Sequence, residues 1–201
     1  MIAIVDYGMG NLRSVQKAFE HIGCEAVLTR DPSVLADASH VVLPGVGAFG
    51  DAMDNLRTFG LVGPILSAIQ SGRPFLGICL GLQLLFAESE EMGQHTGIGV
   101  FPGEIVRFRI SRKVPHIGWN QIHICQESPL LAGIPESSFA YFVHSFYAEP
   151  ADQSSILATT DYEIDFASVV GHGQVFGIQF HPEKSQEVGL RILQNFAEMR
   201  P

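Results

Sequence analysis

At 201 residues the chain has room for one domain, against a soft prior of ~150 residues per domain, and it can bury a core without disulfide or metal staples. Twelve Lys and Arg against 21 Asp and Glu leave a formal charge of -9, a field that repels nucleic acid and anionic membrane surfaces. Cys24, Cys79 and Cys125 are an odd number of thiols at wide spacing with no C-x-x-C pair, which excludes a disulfide framework and a cysteine-based zinc site and favours a reducing compartment.

Along the chain, the apolar run Ile2–Val5 predicts a buried strand. Leu12, Val15, Phe19 and Ile22 then recur on one helical face, with Asn11 as N-cap and Gly23 as the C′ stop. A strand at 26–28, a short helix after Pro32, a strand at 41–43, helical segments at 52–57 and 61–70, and a strand at 75–78 follow. This alternation predicts a parallel sheet covered on both faces. The second half changes to strands at 104–108, 120–124, 140–143, 155–158, 167–170 and 175–180, joined by Gly, Pro, Asp and Ser turns. Residues 186–199 return to helical spacing through Leu190, Leu193 and Ala197. With no repeat and no low-complexity linker, the whole of 1–201 reads as one mixed α/β domain. No apolar run reaches the ~18 residues of a membrane span, and the start lacks a basic n-region, so a cytoplasmic chain is expected.

Gly77-Ile78-Cys79-Leu80-Gly81 lies between an apolar strand and an apolar helical pattern through Leu82, Leu85 and Phe86. It has the form of a nucleophile elbow with sulfur in place of oxygen. The turn forces a strained backbone at its centre, and flanking glycines are needed because a β-carbon would collide there. The helix N-terminus favours a thiolate, and the Leu80 amide points where an oxyanion would form. A thiolate needs a base and the base an orienter. Phe180-His181-Pro182-Glu183 offers both, Pro182 holding the backbone so that a carboxylate two residues on can face the same imidazole. Taken together, these residues suggest a Cys79-His181-Glu183 triad. Pro44-Gly45-Val46-Gly47-Ala48-Phe49-Gly50 contains a formal G-x-G-x-x-G but follows the third strand, with no acidic residue between 58 and 87 to hold a ribose, so it fails as a dinucleotide site. It reads instead as backbone able to present amide donors. His116, His123, His144 and His172 give no metal-ligand spacing and are assigned structural roles; no metal or cofactor is expected.

Pro44-Gly45-Val46-Gly47, Gly77-Ile78-Cys79-Leu80-Gly81-Leu82-Gln83 and Gln179-Phe180-His181-Pro182-Glu183-Lys184-Ser185, in that order, resemble the class I triad glutamine amidotransferases. Asp6-Tyr7-Gly8-Met9-Gly10-Asn11 and Pro115-His116-Ile117-Gly118-Trp119-Asn120 narrow the likeness to the glutaminase subunits of imidazole glycerol phosphate synthase. The resemblance runs essentially end to end. It implies a three-layer α/β fold, a mostly parallel central sheet flanked by helices with added antiparallel strands in the second half. It also implies that Cys79 attacks the glutamine side-chain amide, His181 shuttles protons and Glu183 orients His181. The oxyanion hole would use Leu80 and the Val46–Gly47 backbone. Gln83 would hold the substrate's α-group, and Ser145 and Phe146 would receive the other end of glutamine, largely by backbone; relatives more often have Tyr where Phe146 stands. The expected partner is a cyclase subunit with a (β/α)8 barrel in a heterodimer, met by Asn11, Trp119, Tyr141 and Lys184. Such a partner fits a chain with 16% charged and 46% hydrophobic residues, where about 25% charged is usual.

Three other readings of these residues stay open. A cysteine peptidase on the same scaffold often has His directly after the nucleophile, where this chain has Leu80. A paralogous glutaminase could feed a different acceptor synthase, such as one for sugar amidination. A non-catalytic nucleotide-binding subunit could use the glycine loops.

Overall fold

A computed structural model describes residues 1–200. Its first half comprises β1 (Ile2–Val5), α1 (Leu12–His21), β2 (Ala26–Thr29), α2 (Pro32–Asp37), β3 (His40–Gly45), α3 (Phe49–Thr58), α4 (Val62–Gln70), β4 (Phe75–Cys79) and α5 (Leu80–Leu84). Then come β5 (Phe86–Ser89), β6 (His95–Thr96), β7 (Phe101–Arg107), β8 (His116–Ile124), β9 (Ser138–His144), β10 (Phe146–Pro150), β11 (Ile156–Asp161), β12 (Asp165–His172), β13 (Val175–Ile178) and α6 (Gln186–Glu198).

Strands β2, β1, β3, β4 and β13 lie side by side in that order, every neighbouring pair parallel. The wholly buried runs of β1, β3, β4 and β13 follow from being covered on both faces. Side chains alternate across the sheet. Ile2 and Ile4 join Val15 and Phe19 of α1 and Ile192 and Phe196 of α6, while Ala3 and Val5 join Leu35 of α2, Leu56 of α3 and Ile65 of α4. These are the three expected layers. Beyond β13 the sheet turns antiparallel through β12, β10 and β7, and then runs on to β5 and β6. From β12 a side branch leads through β11 to β8 and its partner β9.

Three local expectations change. The helix after Cys79 stops at Leu84, and Phe86 opens a strand rather than continuing the apolar helical face. Pairing decides this: Phe86 sits in parallel register with Phe101, and their rings stack at 5.5 Å. Helix α3 begins at Phe49, three residues before the apolar pattern suggested, because the Glu91 carboxylate accepts the Phe49 amide at 2.7 Å and caps it. Asn11 does stand at the α1 N-terminus, but its side chain makes no capping hydrogen bond. Gly23 ends that helix at φ 81° as expected.

Candidate active site

The C-terminal ends of β3, β4 and β13 meet at one edge, where open parallel sheets place their ligands. Gly45 is in register with Cys79. Cys79 has φ 55° and ψ -111°, a left-handed backbone that costs a non-glycine residue ~1–3 kcal/mol. Close packing holds it there. A β-carbon at Gly77 would come within 2.7 Å of the Gly81 carbonyl oxygen, and one at Gly81 within 1.7 Å of the Leu43 carbonyl oxygen. The elbow glycines are therefore required by the approach of α5 to β3 and β4.

His181 follows β13 and is 3% exposed. Its Nδ1 lies 2.9 Å from Oε1 of Glu183, whose side chain is equally buried. Nε2 of His181 is buried with no partner, and His181 lines a cavity of about 360 Å³ together with Cys79. Burial works against charge on this ring, but the Cys79 sulfur and the Glu183 carboxylate on its two sides outweigh it and raise the imidazole to about 10. Ser185 fixes the segment from behind, donating to the His181 carbonyl at 2.6 Å and accepting the Tyr141 amide at 3.0 Å.

The same cavity is lined by Val46, Gly47, Leu80, Gln83, Ser145 and Phe146. Val46 is 42% exposed, and Gly47 at φ 107° turns the loop between β3 and α3. Gln83 donates both amide protons, to the Phe146 carbonyl at 3.0 Å and to Oε1 of Gln179 at 3.1 Å. Its own carbonyl oxygen is left as the open end of the amide. Gln179 in turn directs its amide nitrogen at the Cys79 sulfur, 3.8 Å away.

Three residues not singled out from sequence also belong here. Gln179 backs the sulfur. Glu91 lines the cavity; it is one of several acidic residues between 88 and 91, and nothing local marks it as the inward one. Tyr7 has a fully buried hydroxyl with no partner. A β-carbon at Gly45 would meet that hydroxyl at 2.4 Å. Burial, and after it the nearby Cys79 sulfur, pushes the phenol above its ordinary range.

Beside the cavity, β8 and β9 expose one apolar face. Ile117, Trp119 and Phe139 are 56%, 47% and 53% exposed. Trp119 is paired across the strands with Tyr141, the rings meeting edge-on at 6.0 Å. The Lys184 ammonium stands 5.7 Å above the Tyr141 ring. Asn11 lines a small cleft with Val46, His181 and Glu183. Cys24 and Cys125 lie elsewhere, half-buried and exposed. No helix among the described residues is long and apolar enough to cross a membrane.

Residues 3–199 match the model of the family described as glutamine amidotransferase class-I. A protein of Syntrophotalea carbinolica named imidazole glycerol phosphate synthase subunit HisH is 56% identical, with 99% of this chain and 100% of that one covered. A protein of the same name from Aquifex aeolicus is 52% identical, covering 96% and 94%. Among solved structures, one titled as PurLQS from Thermotoga maritima superposes with a TM-score of 0.79 at 20% identity over 98% of this chain and 96% of that chain, a likeness of fold. With its elbow, cavity and full-length match, the chain belongs to the class-I glutamine amidotransferase family.

Proposed function

We propose that this chain is the glutaminase subunit of imidazole glycerol phosphate synthase. It acts as one domain over 1–201 in the cytoplasm, and hydrolyses L-glutamine to L-glutamate and ammonia. The ammonia passes to a cyclase subunit with a (β/α)8 barrel, which forms imidazole glycerol phosphate and aminoimidazole carboxamide ribotide in histidine biosynthesis. The observation that carries this reading is that Cys79 on its strained elbow shares one cavity with His181, whose far nitrogen is held by buried Glu183.

The chemistry follows from that placement. Cys79 Sγ attacks the side-chain amide carbon of glutamine, its proton held by His181 Nε2. The oxygen of the tetrahedral intermediate receives the Leu80 amide and one from the Val46–Gly47 backbone, with Gly47 free to turn. As the C–N bond breaks, His181 gives its proton to the nitrogen and ammonia leaves a thioester on Cys79. A water then loses a proton to His181, attacks the thioester and releases glutamate and the thiol. Glu183 keeps the imidazole oriented and supports its positive charge at both steps. At the other end of the substrate, the Gln83 carbonyl oxygen and the Glu91 carboxylate are matched to the α-ammonium, and the Ser145–Phe146 backbone to the α-carboxylate.

Ammonia released to water would be protonated and lost as a nucleophile, so the site needs a cover. Asn11, Trp119, Tyr141 and Lys184 adjoin the cavity and form the face on which the cyclase subunit would dock; half-exposed aromatics are the residue type that anchors interfaces. The test replaces Cys79 by Ala in the complex with the cyclase subunit. Synthesis driven by glutamine is expected to vanish while synthesis driven by added ammonia persists; loss of both would overturn the nucleophile assignment.

A further inference from the structure

Strand β8 turns His116 inward, opposite the exposed Ile117. The ring stacks on Tyr162 and Phe142, with centroids 4.0 and 4.9 Å away. Its cross-strand neighbour is His144 of β9, and the two are 3% and 6% exposed. Nδ1 of His116 lies 2.9 Å from Nε2 of His144, and Nδ1 of His144 lies 2.8 Å from the Phe146 carbonyl oxygen. At the outer end, Nε2 of His116 is 3.2 Å from Nδ2 of Asn120.

The direction of every proton is determined. Nδ2 of Asn120 also donates to the Asp161 carbonyl at 2.8 Å, while Oδ1 accepts the Gln121 amide at 2.8 Å. Nε2 of His116 must therefore accept, which puts its proton on Nδ1, facing His144. Nε2 of His144 must accept in turn, so its proton also sits on Nδ1 and goes to the Phe146 carbonyl. Protonating either ring would set two N–H groups against each other or against the Asn120 amide. Their surroundings keep both neutral. For His116 burial, and then the Arg112 charge, lowers the imidazole to about 4. For His144 burial outweighs the bond to Phe146, His116 and His181 add to it, and the ring falls to about 3.

The Phe146 carbonyl thus accepts from His144 and from Gln83 at once, using both lone pairs. It cannot serve substrate, and it acts as the post that aims the Gln83 amide. We propose that His116 and His144 are positioning residues for glutamine hydrolysis, forming with Asn120 a one-way hydrogen-bond relay that fixes the Phe146 carbonyl and through it the pocket for the α-group of glutamine. This rests on the glutaminase reading. Both nitrogens of each ring are spent within the relay, so neither histidine takes part in the chemistry at Cys79.

The test uses the full-length chain with its partner subunit. His144→Leu is expected to raise the KM for glutamine about tenfold, the effect of losing one buried donor, with kcat changed less than twofold. His144→Asn, whose amide N–H can reach the Phe146 carbonyl, restores most of the loss. His116→Phe, which keeps a ring in the stack, raises KM in the same direction. A purely structural role lowers kcat by depleting active enzyme and leaves KM alone; that pattern, or a His144→Asn no better than His144→Leu, overturns the relay. Imidazole ¹⁵N spectra of the unsubstituted protein need no turnover: both rings are expected as neutral Nδ1–H tautomers from pH 8 to 5. An Nε2–H tautomer on either ring, or titration of either above pH 5, overturns the relay whatever the activity. Failure of the unsubstituted complex to hydrolyse glutamine would fall on the glutaminase reading, and the spectra would still decide the relay.

Discussion

Gly81 and Leu43 touch so closely that no side chain fits between them: a β-carbon on Gly81 would stand 1.7 Å from the Leu43 carbonyl oxygen. Backbone meets backbone, so no rotamer change relieves the clash, and α5 would have to move away from β3. Gly81→Ala is therefore expected to destabilise the fold by at least ~3 kcal/mol, the upper end of overpacking costs. Gly63 supplies the opposite sign. It sits inside α4 with nothing within 4 Å of a built β-carbon, so Gly63→Ala should stabilise by ~0.5–1 kcal/mol. Urea midpoints of the two variants check both, and a tolerated Gly81→Ala would refute the packing account of the elbow.

Glu183 has one visible task, since its side chain is buried against His181 alone among the charged groups of the triad. Burial disfavours the charged imidazole, whereas Cys79 and Glu183 favour it. Removing the carboxylate therefore lowers the His181 pKa, and the proton needed by the departing nitrogen is lost at a lower pH. Glu183→Gln is expected to cut kcat by ~10²-fold or more, by analogy of role with other triad orienters, and to shift the alkaline limb of the kcat profile to lower pH. A profile unchanged in position would mean that Glu183 does not set the charge on His181.

The parallel half of the fold and the three residues Cys79, His181 and Glu183 that it brings together were legible in the sequence for the same reason: both are written locally. Ile2–Val5 is a continuous apolar run because it is covered on both faces, and Gly77 to Gly81 and His181 to Glu183 each fit within a few residues. What was not legible depends on distant partners. Phe86 continues a helical apolar spacing and becomes a strand only because Phe101 lies beside it. β6 is two residues long and carries no pattern. β10 begins at Phe146, directly after the bend at Ser145, and ends in Pro150. Gln179 reaches a sulfur 100 positions away, and the inward turn of Glu91 is set by the Phe49 amide it caps. His116 and His144 were read as structural, and only the hydrogen-bond directions reveal what they are placed to hold.

Trp119 is the largest apolar group on the face formed by β8 and β9; it meets Tyr141 edge-on, and Lys184 stands over the Tyr141 ring. If the cyclase subunit docks there, truncating Trp119 removes a central aromatic anchor. Trp119→Ala is expected to weaken association by ~30-fold, the ~2 kcal/mol scale of such positions. Calorimetric titration of the two subunits measures it. An unchanged dissociation constant for Trp119→Ala would contradict docking on this face.

The buried histidine pair also sets how the fold responds to acid. In the folded chain His116 and His144 protonate only at about 4 and about 3, against 6.5 for an unperturbed ring, and burial lowers His40 as well. As pH falls below 6.5 the unfolded chain takes up protons at these rings that the folded chain refuses. Their stabilising contribution is thus complete above 6.5 and is lost as pH falls from there toward the folded values, each ring giving a slope of ~1.4 kcal/mol per pH unit. His181 has the opposite sign: its raised value contributes below 6.5 and is lost only as pH rises toward about 10. The carboxylates held low by hydrogen bonds, such as Asp6 and Glu163, have ordinary values of 3.8 and 4.5 and weaken the fold only below that range. The window from pH 6.5 to 5 therefore isolates the histidines, and the pair should lose ~3–4 kcal/mol across it. Urea unfolding at pH 7 and pH 5 measures the loss. His116→Phe, which has no proton to take up, should flatten the slope by the share of one ring, ~1.4 kcal/mol per pH unit; an unchanged midpoint between the two pH values in the unsubstituted protein would show that these rings are not held neutral.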